Sequence, residues 1–140
     1  MIAAVRRARQ RARLIAAVRA RGAEPRNLRD AAHEAAHALR AGLDAPWTRD
    51  RIHVAVVAAA PEPSELLATE LEARAVELLV CRQLGEPYAL EHWAAVCLRE
   101  SERVLRAGIL CSVAELAAAI ERRAQDGDAI TLARRVGRLR

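Results

Sequence analysis

The chain has 140 residues and a formal net charge of +5, a length that predicts one domain with its own core. Two Trp, one Tyr and no Phe leave a core of Ala, Leu, Val and Ile, a composition that favours closely packed helices. Three cysteines without C-x-x-C spacing argue against a disulfide framework or a thiolate zinc site, and neither a bilayer-spanning apolar run nor a secretory signal is visible. We expect a mainly α, compact single-domain protein of the cytoplasm.

Residues 1–23 form a basic N-terminal arm, which is the first predicted helix. The arm contains seven arginines and no acid, so residues 24–140 carry a small net negative charge. A narrow apolar stripe runs along it, formed by Val5, Ala8, Ala12, Ile15 and Val18. Either the arginines contact nucleic acid or an anionic membrane, or the stripe docks on the core and the arginines are solvated. Docking is favoured because no aromatic or Gly-rich motif accompanies the arginines.

The second predicted helix, from about Asn27 to Gly42, contains the pattern H-E-x-x-H at residues 33–37. Residues four positions apart lie one above the other on a helix, so His33 and His37 can offer two imidazole nitrogens to one metal ion. Glu34 lies about 100° round the helix from His33, where it can contact a water on the metal without being a ligand. This position suits a general base. A stray surface pair is the alternative, but the capped amphipathic helix around the motif favours a zinc-dependent hydrolase.

One strand and four helices are predicted beyond a turn at residues 44–48. Residues 52–57 form a short β-branched run, the only convincing strand candidate. The first of the four helices is long, is capped by Ser64 and ends near residue 84, and the second covers residues 89–106 and stops at Gly108. A capping box of Ser112 and Glu115 begins the third, and the fourth is a short basic helix at the end of the chain.

A catalytic zinc ion usually has three protein ligands and one open position, so a third ligand is needed. The long helix contains two carboxylates, Glu70 and Glu77, on an otherwise apolar face. Burying such a carboxylate without a partner is costly, and a metal ion would offset that cost. Both acids are therefore candidate ligands, and pairing with an arginine, Arg74 in particular, is the alternative for each. Glu72 is expected on the surface.

The H-E-x-x-H helix is followed by a second helix with a glutamate, Glu70, 33 positions after His37. This arrangement resembles the gluzincin metallopeptidases. In that family a Glu from a later helix completes the zinc site. The E-x-x-A of residues 70–73 and the Leu pair at 78–79 are most similar to the small bacterial and phage-associated ImmA/IrrE-like group. The resemblance covers residue 28 to about residue 80 and implies zinc on His33, His37 and Glu70, with Glu34 as general base. Arg74 and the near absence of a sheet depart from the family pattern.

Three further side chains can donate a hydrogen bond to an oxyanion, and the two histidines among them can instead replace Glu70 as ligand: His53, Tyr88 and His92. A position outside the site is the alternative for each. The expected reaction is hydrolysis of an amide bond in a peptide or protein by a zinc-activated water. The rival hypothesis is a non-catalytic helical binding or regulatory module, in which residues 1–23 contact nucleic acid or another partner.

Overall fold

The computed structural model describes residues 2–101 and 112–140, which form seven helices and no strand. The helices are α1 (Ile2–Ala20), α2 (Leu28–Arg40), α3 (Arg49–Ala59), α4 (Pro63–Gln83), α5 (Leu90–Glu100), α6 (Val113–Arg123) and α7 (Gly127–Gly137). The predicted mainly α fold is confirmed. The expected continuation of α5 to residue 106, its stop at Gly108, and Cys111 lie outside the described residues. Within the described ranges, no helix combines the length and the apolar character needed to cross a membrane.

Helix α2 has neighbours on several sides, because it contacts α1, α3, α4 and α7. Its first turn is closed reciprocally: Asn27 Oδ1 accepts the Asp30 N–H at 2.9 Å, and Asp30 Oδ2 accepts the Arg26 N–H at 3.0 Å. Its buried face consists largely of alanine, at residues Ala31, Ala32, Ala35, Ala36 and Ala38. Such small side chains let neighbouring helices pack closely. The motif histidines therefore lie on a capped and tightly packed helix.

Helix α4 is surrounded by other helices, and residues 71–78 are all buried. It contributes to two apolar clusters, one shared with α1, α2, α3 and α7, the other with α5, α6 and the start of α7. The predicted cap at Ser64 is wrong: the helix begins at Pro63, a residue favoured at the first helical position, so Ser64 lies inside the helix and Glu62 precedes it as the N-cap residue. The surface position expected for Glu72 is also wrong. Because α4 has neighbours all round, Glu72 is buried and pairs with Arg40 at 2.6 Å.

The predicted strand at residues 52–57 is wrong, because these residues lie in α3. Thr48 Oγ1 accepts the Arg51 N–H at 3.4 Å and caps this helix. Ile52 and Val56, one turn apart, are buried against α2. A lone strand would leave its backbone groups unpaired, whereas β-branched residues lower helix stability only slightly. Packing and capping therefore outweigh the β propensity of this segment.

The buried residues of helix α1 all lie in its second half. Residues 2–10 are all exposed, and the buried residues of the helix are Leu14, Ala17 and Val18. The predicted apolar stripe is therefore correct only at its end: Val18 is buried and Ile15 is partly buried, but Val5 is 48% exposed. Ala8 and Ala12 are also exposed, and the buried face of the helix instead includes Leu14 and Ala17.

Candidate metal centre

Two helices bring three potential metal ligands together. His33 and His37 lie one turn apart on α2, with ring centroids 4.6 Å apart and an interplanar angle of 84°. Glu70 lies on α4, and its Oε1 is 3.2 Å from Nε2 of His37. One nitrogen of each imidazole and one oxygen of Glu70 lie within 4.8 Å of one another. His33, His37 and Glu70 therefore form a group that could bind a metal ion.

Glu77, the alternative third ligand, contacts the other nitrogen of His33. Its Oε2 is 3.4 Å from His33 Nδ1, which leaves Nε2 of that ring for a metal. The Glu77 side chain is fully buried and also accepts hydrogen bonds from Arg29, Arg74 and Tyr88. The arginine pairing that was the alternative for the acids of α4 is thus found at Glu77. This residue orients His33 while the Glu70 carboxylate faces His37.

Arg29 and Arg74 form a cationic layer against one aromatic ring. Their guanidinium groups lie over Trp93 of α5, 3.6 and 4.9 Å from the ring centroid. Arg74 is almost completely buried, and its Nη2 donates to Glu100 Oε2 at 3.1 Å. The carboxylates of Glu77 and Glu100 thus balance the two arginines, as charges removed from solvent require. This layer connects α2, α4 and α5 beside the candidate ligands.

Burial and neighbouring charges set the protonation of the three candidate ligands. Burial of the His33 ring opposes protonation, but the hydrogen bond and charge of Glu77 outweigh it and raise the His33 pKa above 6.5. Burial dominates at His37 and lowers its pKa, so this ring is neutral near pH 7. At Glu70, burial acts to raise the pKa, but the hydrogen bond and charge of His37 lower it to about 2. A neutral imidazole and an ionised carboxylate are the forms that bind metals.

Glu34 has a carboxylate oxygen without a partner. Its Oε2 is shielded from solvent, and no donor reaches it among the residues that the structure describes. Burial, with a smaller contribution from Asp30, raises the Glu34 pKa above 4.5. A shielded carboxylate with a raised pKa accepts a proton more readily than a surface glutamate. The environment of Glu34 is therefore compatible with the general-base role predicted for it.

An open cleft of about 500 Å³ gives access to the candidate ligands and to Glu34. Ile52 and Val56 of α3 form an apolar part of its wall, and Trp93 is also among its lining residues. Of the three predicted hydrogen-bond donors, His53 lines this cleft, whereas the other two are engaged elsewhere. Tyr88 donates to Glu77 at 3.4 Å, and His92 packs edge-on against Trp93 with ring centroids 4.8 Å apart.

The layer of Arg29, Arg74 and Trp93 was not recognised from the sequence. A signal was available for Arg29, because it lies four residues before His33 and shares its helix face. Pairing of Glu77 with Arg74, at i+3 and i on α4, was the predicted alternative, but the contact of Arg74 with an aromatic ring was not predicted. Trp93 gave no such signal, since its contact with both arginines depends on how α5 packs against α2 and α4.

Comparison of the chain with protein-family models, with curated proteins and with solved structures gives no match. Its function has to be argued from the chemistry of the site.

Proposed function

We propose that the protein is a zinc-dependent hydrolase that cleaves an amide bond in a peptide or protein. One observation carries the proposal: His33, His37 and Glu70 converge at an open cleft that Glu34 also lines, and the Oε2 atom of Glu34 has no hydrogen-bond partner among the described residues. Two imidazoles and one carboxylate are a ligand set of catalytic zinc sites, in which a fourth position stays open for water or substrate. The resemblance of the motif and its spacing to the gluzincins supports the same function.

The chemistry of Glu34 favours hydrolysis, and with it zinc, over the iron(II) chemistry that the same ligand types can support. Two histidines and a carboxylate also bind iron(II) in non-haem oxygenases. Hydrolysis, however, needs a base that takes a proton from water and later returns it, and Glu34 offers a free oxygen and a raised pKa in the same cleft. We therefore assign hydrolysis, and zinc as the metal that supports it.

The side chains at the cleft have separate roles in this reaction. Zinc, when bound, supplies Lewis acidity, which polarises a substrate carbonyl and brings the pKa of a water molecule towards neutrality. Glu34 accepts the proton of the attacking water and delivers it to the leaving amide nitrogen. His33, His37 and Glu70 would hold the metal. Glu77 fixes the orientation of the His33 ring through Nδ1, and His53 is a donor available at the cleft wall.

Metal content tests the ligand assignment. Protein purified without a chelator should contain about one zinc ion per chain, and His37→Ala should lose it. His53→Ala is the matched control, since it removes a histidine of the same cleft that lies outside the ligand group, and it should retain the zinc. A protein that binds no divalent ion after reconstitution, or that prefers iron(II) to zinc, would overturn the proposal.

Activity tests the role of Glu34 separately from metal binding. Glu34→Gln should keep the zinc and lose hydrolysis of a peptide mixture, because an amide neither accepts nor returns a proton. Glu70→Gln should weaken zinc binding itself. Glu72→Gln, on the same helix but paired with Arg40, should change neither property. If the zinc-loaded protein cleaves no peptide, the hydrolase function is refuted while the metal site stands; if Glu70→Gln binds zinc normally, the ligand assignment is wrong.

A further inference from the structure

Helix α1 has two faces with different surroundings. One face contains the buried residues Leu14, Ala17 and Val18, and on the same side Arg11 donates to the Leu84 carbonyl and pairs with Glu86 at 3.1 Å. The second face is open to solvent and consists of Ile2, Val5, Arg6, Arg9, Gln10 and Arg13. We call Arg6, Arg9 and Arg13 the arginine face. Their positions, at i, i+3 and i+7, place them along one side of the helix.

The arginine face carries a charge that the protein does not neutralise. In the part of the chain that the structure describes, none of its three guanidinium groups has a hydrogen bond or an ion pair with the protein, and α1 contains no acid. Of the remaining arginines of α1, Arg11 and Arg19 donate to backbone carbonyls, whereas Arg7 is exposed and lies near Gly85. Just after the helix, Arg21 donates to the Ala17 carbonyl and lies over Trp47. Three of the four arginines of α1 that lack such a partner among the described residues therefore share one exposed side of the helix.

We propose that the arginine face binds the phosphate backbone of a nucleic acid. From Arg6 to Arg13 the helix advances about 10 Å, and duplex DNA carries about six negative charges over that length. The planar guanidinium group matches phosphate by two parallel hydrogen bonds. The proposal does not depend on the metal site, since α1 lies outside the residues that line the cleft.

The composition of the face distinguishes a nucleic acid from a membrane. Ile2, 80% exposed, and Val5 are the large apolar residues on it, and α1 contains no aromatic residue. That apolar area is small for insertion into a lipid interface, which usually uses Trp, Phe and Leu on one side of the helix. The lack of aromatic rings also leaves nothing on which bases could stack. Binding is therefore expected to be electrostatic and independent of sequence.

The salt dependence of binding to a fluorescent DNA duplex of arbitrary sequence tests this proposal. Three phosphate contacts give a slope of about −2.7 for log K against log salt, so affinity should fall about 40-fold between about 50 and 200 mM salt. The triple variant Arg6→Gln, Arg9→Gln, Arg13→Gln should lose most of the affinity and of the slope. The matched control neutralises three exposed arginines elsewhere, Arg122, Arg134 and Arg135, and should retain both.

Control measurements distinguish loss of the arginine face from loss of the fold or of overall charge. Helical circular dichroism and zinc content should be the same in both triple variants, and a Lys triple at the arginine face should keep the salt slope. Equal losses in the two glutamine triples would show that overall charge, not this face, attracts the duplex and would overturn the proposal. Binding to vesicles of anionic phospholipid without binding to the duplex would also overturn it, in favour of a membrane.

Discussion

Replacing Glu77 by glutamine removes one negative charge from a fully buried position while nearly preserving the volume of the side chain. The variant leaves Arg74, 3% exposed, with Glu100 as its remaining anion, and leaves Arg29 with Asp30 at 3.7 Å. Removing one partner of a buried ion pair commonly costs about 3–5 kcal/mol. Because both arginines keep one acidic neighbour, we expect the lower end, a loss of about 3 kcal/mol in the free energy of unfolding.

The same substitution should weaken zinc binding without removing a ligand. Glu77 Oε2 is the partner of His33 Nδ1, and loss of such an outer partner typically lowers metal affinity about 10–100-fold. The two effects are measured separately. Denaturant unfolding of the zinc-free protein gives the stability change, and competition with a chromophoric chelator gives the zinc affinity of the folded protein.

Glu72→Gln is the matched control for this experiment. Glu72 lies on the same helix with a side chain only 4% exposed, but its partner Arg40 is 49% exposed and can be solvated when the pair is broken. We expect a loss of about 1–2 kcal/mol and an unchanged zinc affinity. The reasoning fails if Glu77→Gln is no more destabilising than Glu72→Gln, or if the two variants bind zinc equally well.

Zinc affinity should fall as the pH is lowered, because a proton competes with zinc for His33, whose pKa is raised above 6.5. Zinc titrations below that pKa should show about a tenfold loss of affinity per pH unit. A pH-independent affinity would contradict this prediction. Leu14→Ala should lower the free energy of unfolding by about 2–5 kcal/mol, whereas Val5→Ala should change it by less than about 0.5 kcal/mol, since only the second half of α1 is packed. Equal effects of these two substitutions in denaturant unfolding would refute that account of α1. Burial raises the pKa of Cys81 to about 12, so this thiol should resist alkylation near pH 8 until the protein unfolds; peptide mass mapping of labelled folded protein checks this.

Features that depend on one helix alone could be predicted from the sequence. The caps at Asn27 and Ser112 are confirmed, with Ser112 Oγ accepting the Glu115 N–H at 3.1 Å. The i, i+4 register of His33 and His37 follows from the helix backbone and needs no tertiary information. The strand prediction for residues 52–57 is wrong because the β-branched composition of the segment does not reveal the helix cap before it or the neighbours that bury Ile52.

The acids of α4 could not be ranked from the sequence, because their partners belong to another helix. Helix α2 carries a row of basic residues at helical spacing, and these residues pair with acids of α4: Arg29 and His33 with Glu77, His37 with Glu70, and Arg40 with Glu72. The periodicity of α4 alone makes Glu70 and Glu77 equally good candidates for the third metal ligand, and it places Glu72 wrongly on the surface. The rotation of one helix against the other decides between them.

These pairings also indicate which acid of α4 is available to a metal ion. Arginines pair with Glu77 and with Glu72, so these two carboxylates have permanent cations beside them. Glu70 forms an ion pair only with His37 among the described residues, and the lowered pKa of that ring leaves it neutral near pH 7. The Glu70 carboxylate, with its pKa lowered to about 2, is ionised but has no arginine partner among the described residues, and a divalent ion shared with His33 and His37 could place a lasting positive charge beside it. Of the three acids of α4 that pair with the basic row in the described part of the chain, Glu70 is the one without an arginine partner, and its oxygen lies within 4.8 Å of a nitrogen of each motif histidine.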